Sequence, residues 1–180
     1  CSMTFPSPIC DPEKHLSRQR ISVLVERLRK VNAVRDCECD NNAFQMAVAV
    51  APVGVALSSL QNASKLIMNE WGVGSKECNN GILMLISPSL RQLYVVTGSR
   101  TAIYLTDSVL SLKIVEPMLA EIKAGGDLLS VSIRAVDAIV KELLDSLRIK
   151  KLLRDNIIIQ NSDVSILIYY VLIGAIVIIF

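Results

Sequence analysis

The sequence predicts an α/β domain: a three-layer α/β/α sandwich with a small mixed sheet, followed by one C-terminal transmembrane helix that is truncated. Three observations carry this expectation. Helix-period apolar stripes alternate with short, wholly apolar runs, as they do when helices cover both faces of a sheet. Of the 180 residues, 52% are hydrophobic and only 20% charged, which excludes a disordered chain. The excess apolar content is concentrated in residues 164–180, VSILIYYVLIGAIVIIF, which carry no charge. The expected organisation is a domain over 10–147, a tether over 148–163 and a membrane helix over 164–180.

The elements follow in order. Asp11-Pro12-Glu13 can open a helix, but Ser17 is the better cap, with Ile21, Leu24, Val25 and Leu28 recurring at helical spacing behind it. The intervening Arg18, Arg20, Glu26, Arg27, Arg29 and Lys30 read as a solvated face. Residues 32–42 are polar and read as a loop. Gln45–Ala51 is a short run of small apolar residues, a strand buried on both faces, ended by Pro52 and Gly54. Leu60, Ala63, Leu66, Ile67 and Trp71 mark a second helix, closed at Gly72-Val73-Gly74. Ile82–Ile86 is a second buried strand. Ser87–Arg91 is a turn of hairpin length, and Gln92–Thr97 returns antiparallel. Leu112, Val115, Met118, Leu119 and Ile122 predict a helix before Gly125-Gly126. Leu129, Ile133, Val136, Val140, Leu143 and Leu147 predict a longer one.

At 1.5 Å per residue the terminal run covers about 25 Å, against roughly 30 Å of hydrocarbon. It reads as a transmembrane helix cut short, with a buried core helix as the alternative. Arg148, Lys150, Lys151 and Arg154 before it would lie in the cytosol by the positive-inside rule, as in a tail-anchored adaptor. The five cysteines, Cys1, Cys10, Cys37, Cys39 and Cys78, argue the other way, because their clustering in the first 78 residues suits a lumenal or extracellular domain. Reduced thiols and zinc are the alternatives, although CxC is not the usual zinc spacing and the single histidine is His15. If disulfides form, Cys37 or Cys39 is expected to bridge to Cys10 or Cys78, since neighbours in a CxC are poorly placed to bond each other.

The chemistry-bearing motifs are few. A net charge of +2 and eight aromatic residues do not make a nucleic-acid surface. A serine or cysteine triad needs a base, and the single histidine, His15, lies in the N-terminal helical start without a GxSxG and reads as a surface residue. No phosphate-binding loop is present, and Gly72-Val73-Gly74 follows a helix where a dinucleotide fingerprint needs a strand. Asn62-Ala63-Ser64 is a glycosylation sequon inside a predicted helix.

One composite pattern is specific. Asp11 and Leu16-Ser17 precede Met46–Val50, and Asn69-Glu70-Trp71-Gly72-Val73-Gly74 follows. Then come Asn80-Gly81-Ile82-Leu83, Arg91, Val96-Thr97-Gly98, Leu105-Thr106-Asp107, Pro117 and Gly125-Gly126-Asp127. This order, over roughly residues 10–147, resembles the TPM domain family, which includes a thylakoid lumen phosphatase, a photosystem-II-associated protein and the nematode modulator of levamisole receptor. Cys10-Asp11-Pro12, the Cys37/Cys39 pair, Cys78 before Asn-Gly and the terminal apolar run are most similar to the nematode branch. The resemblance implies a single-pass plasma-membrane protein with its domain outside the cell, acting as a positive, non-enzymatic auxiliary subunit of an acetylcholine-gated ion channel. Its partners would be that channel and the lipid bilayer, with no nucleic acid and no cofactor.

The plant relatives imply the alternative, a metal-assisted acid phosphatase with calcium nearby. Asp11 and Asp107 are the metal candidates, beside Glu116 and Asp127. Ser89 and Thr106 supply no nucleophile paired with a base, and Leu128 stands where the family's Gly-Asp-Tyr has its aromatic residue.

Overall fold

The structure is a computed structural model that describes residues 8–36, 39, 42–54 and 57–178, without the side chains of 57–59 and 156–178. It is a mixed α/β fold. A four-stranded sheet runs in the order β1-β4-β5-β6, formed by Ile9–Cys10, Gln45–Val50, Gly81–Ser87 and Gln92–Thr97. β1 and β5 are parallel to β4, and β6 is antiparallel to β5. A separate antiparallel pair joins β2, Arg35–Asp36, to β3, Asn42–Ala43, inside the stretch expected to be loop.

Side chains alternate between faces along a strand, so the register separates two cores. Ala47, Ala49, Leu83 and Leu85 point to the face covered by α2, Leu57–Glu70, where they meet Leu60 and Met68. Met46, Val48, Val50, Ile82, Met84 and Ile86 point the other way and are no more than 4% exposed. Helix α1, Arg18–Ala33, runs beside β4 and buries Leu24, Leu28 and Val31. Ser17 caps it, its hydroxyl accepting from the Arg20 N–H at 3.3 Å. Two ion pairs, Arg20–Asp127 at 3.3 Å and Arg27–Asp137 at 3.2 Å, hold α1 against the start of α5, Leu128–Ile178. Arg18, Arg20, Glu26, Arg29 and Lys30 are exposed, as expected of a solvated face, and Arg27 alone of the six is half-buried beside Asp137.

Asp11-Pro12-Glu13 forms a turn and starts no helix. The predicted helix around Leu112 is also read differently by the fold. It starts as α3, Asp107–Val109, widens into a π segment, Leu110–Val115, and continues as α4, Glu116–Lys123. Leu112 is 65% exposed, and the inward stripe is Leu110, Ile114, Met118 and Ile122. A π turn inserts an extra residue, which stretches the repeat to four.

The chain divides into two compact units, Cys1–Leu144 and Asp145–Phe180. Helix α5 buries Leu129, Val131, Ala135, Val136, Ile139 and Leu143 in the first. Among the described residues no helix is long and apolar enough to cross a membrane. The side chains of the predicted span, 164–180, lie outside the described residues.

Candidate functional site

The C-terminal ends of β4 and β5 open onto a cavity of about 160 Å³, lined by His15, Arg20, Val50, Ile86, Asp127 and Ser132 among others. Strand ends of this kind are where open α/β sheets place ligands. Asp11 shapes the loop that delivers His15: its carboxylate accepts from the His15 N–H at 3.0 Å and the Leu16 N–H at 2.6 Å. His15 Nε2 lies 3.0 Å from Glu13 Oε2, which also accepts from the Val53 N–H at 3.0 Å. Asp127 caps α5, accepting from the Ser130 N–H at 3.1 Å and its hydroxyl at 2.9 Å. These two hydrogen bonds, with a smaller contribution from Arg20, hold its pKa below the ordinary carboxylate value.

The hydroxyls beside the cavity are engaged within the fold. The Ser132 hydroxyl is donated to the Leu128 carbonyl at 2.7 Å, and the Ser130 hydroxyl to Asp127 at 2.9 Å, a carboxylate whose lowered pKa makes it a weak base. The other acidic candidates have separate tasks. Glu116 accepts from the Ser111 hydroxyl at 2.7 Å, and Asp107 opens α3 beside the Thr106 cap. Among the described residues no three His, Cys, Asp or Glu side chains gather where they could hold a metal ion. Calcium takes six to eight oxygens. The described residues do not fit it.

The opposite end of the sheet is more heavily built. Cys39 and Cys78 form a disulfide, with Cα atoms 6.0 Å apart, that ties the β2–β3 stretch to the start of β5. Cys10 is disulfide-bonded as well, while Cys37 lies outside the described residues. Beside this staple Asp36 is wholly buried. Its carboxylate accepts from Arg100 Nε at 2.5 Å, Arg100 Nη2 at 3.1 Å and the Tyr104 hydroxyl at 2.9 Å. The Tyr104 ring takes the edge-on contact of Phe44, with centroids 5.6 Å apart. Asn80, also buried, donates to the Ala43 carbonyl at 2.8 Å and accepts from the Ser75 N–H at 2.9 Å. A groove of about 470 Å³ opens at this end, lined by Asn32, Phe44, Gln45, Trp71 and Val73 among others. Sequence reading did not find the Asp36–Arg100–Tyr104 group. Its members are 64 and 68 residues apart and match no short motif.

Residues 1–91 match the family model described as modulator of levamisole receptor-1. The chain belongs to that family. No match was found among curated proteins. Among solved structures, the chain is similar to the N-terminal domain of a protein from P. gingivalis, determined by solution NMR. The identity is 26% and the TM-score 0.61, over 79% of this chain and 85% of that one. It is also similar in fold to the BA42 protein of the psychrophilic bacterium Bizionia argentinensis, with 11% identity and a TM-score of 0.55 over 76% and 86%. These neighbours share the mixed α/β fold. The matched modulator-family stretch holds Asp36, both ends of the Cys39–Cys78 disulfide and Trp71. Arg100, Tyr104 and Asp127 lie beyond it.

Proposed function

We propose that this chain is an auxiliary subunit that positively modulates an acetylcholine-gated, levamisole-sensitive channel. In this reading the α/β domain is extracellular and non-enzymatic, and residues 164–180 anchor it in the plasma membrane as a single transmembrane helix. The observation that carries the reading is the match of residues 1–91 to the levamisole-receptor modulator family. The Cys39–Cys78 disulfide supports it, because such bridges persist in oxidising compartments. A subunit of this kind acts by binding the open channel more tightly than the closed one, which is the only way a partner shifts a gating equilibrium. A tenfold preference corresponds to about 1.4 kcal/mol. The test is co-expression with a levamisole-sensitive receptor in oocytes. Larger currents at sub-saturating agonist than with receptor alone are expected. Equal currents, with the protein present at the surface, would overturn the proposal.

A further inference from the structure

We propose that Asn62 carries an N-linked glycan, attached before α2 folds. The inference rests on the extracellular reading above, because the transfer occurs in the secretory lumen. Asn62-Ala63-Ser64 is an acceptor sequon with no proline in its middle position. In the folded domain α2 turns Leu60, Ala63, Ile67 and Met68 to the sheet. Asn62 is exposed on the opposite side, with Gln61, Lys65 and Leu66. A glycan there displaces no core group. It also shades Leu66, which lies one turn along the same face and is 62% exposed.

The acceptor hydroxyl sets the timing. Ser64 is wholly buried, and its hydroxyl donates to the Leu60 carbonyl at 2.7 Å. The glycosyl transferase must read that hydroxyl together with Asn62, so the folded helix is not a substrate. Transfer precedes formation of α2. The Cys39–Cys78 disulfide, with a sequence separation of 39, spans the whole of α2, so its closure helps to end the period in which the sequon is open.

The reaction draws on a lipid-linked pyrophosphate oligosaccharide. The Asn62 amide nitrogen bonds to the anomeric carbon as the bond from that carbon to the phosphate oxygen breaks. The lipid pyrophosphate departs with the bonding pair, and one amide proton passes to a base of the transferase. A consequence for the proposed function is that the outer face of α2 is closed to the receptor, leaving docking to another surface.

The experiment expresses the full protein in animal cells and compares mobility before and after amidase removal of N-glycans, with thiol alkylation run in parallel. A mobility shift that disappears in Asn62→Gln is expected. Higher occupancy is expected when Cys39→Ser and Cys78→Ser are combined. No shift while Cys39 and Cys78 are protected from alkylation would overturn the glycan and leave the extracellular reading standing. No shift with both thiols freely alkylated would overturn both. A shift that survives Asn62→Gln would remove Asn62 as the site, and unchanged or lower occupancy in the cysteine variant would remove the timing.

Discussion

Asp36 shows at the scale of one residue what this fold asks of a charge. Its side chain is fully buried, whereas the Arg100 side chain keeps 19% of its surface exposed. A buried ion pair adds little over a well-packed apolar pair, but losing one partner leaves the other charge stranded. Arg100→Ala should therefore destabilise the domain by about 3–5 kcal/mol, read as a lowered denaturant midpoint at unchanged slope. A loss below about 1 kcal/mol would mean that water reaches Asp36 and that the pair is not a structural anchor. Asp127 is a contrasting case. Its side chain is 45% exposed, so its capping and ion-pair energies are screened and belong to the small-effect class. Because its pKa is lowered in the fold, its contribution is present above the unfolded value of about 3.8 and fades as pH falls through the folded value. Gly81 and Gly98 are constrained by space: a Cβ at either position would collide with the carbonyl oxygen of Val73 or Asn79, so both must stay glycine for the strand ends to close.

At the scale of elements, the Cys39–Cys78 bridge closes a loop that contains β3, β4 and α2. With 39 residues of separation, the chain-entropy model assigns it about 4 kcal/mol. The double variant Cys39→Ser/Cys78→Ser should lose stability of that order in equilibrium unfolding under oxidising conditions. If its midpoint matches the wild type, the buried Asp36 group alone holds this corner. The helices show how far local pattern carries. Ser17 before Ile21, Leu24 and Leu28 announces α1 correctly, because capping and periodicity are both local. In α5 the predicted stripe included Ile133 and Val140, which are half-buried, while Val131, Ala135 and Ile139 are fully buried. That helix packs against more than one neighbour, with Arg27, Lys113 and Glu121 all pairing to it, so its buried arc is wider than one stripe.

For the whole molecule, the decisive test is where the folded unit ends. The buried residues of α5 stop at Leu143, and the first compact unit closes at Leu144. Protein ending at Asp155 should remain in solution and unfold in one cooperative step. Aggregation or a gradual transition would show that residues beyond 155 complete the core, and the membrane-anchor proposal would fall with that result.

Sequence alone determined the alternation of helix and strand, the two buried, largely apolar strands, the β5–β6 hairpin and the family resemblance. All of these rest on spacing within a few residues or on ordered motifs along the chain. Tertiary structure alone decided the two-residue β1 against β4, the β2–β3 ladder, the π segment and the Asp36–Arg100–Tyr104 group. A two-residue strand has no period to detect, a π turn breaks the one that is sought, and a buried carboxylate is recognisable only once the fold has brought its arginine and tyrosine across more than sixty residues. The pairing of Cys39 with Cys78 belongs to the same class, because several partners were open to each cysteine until the β2–β3 stretch was seen to lie against the start of β5.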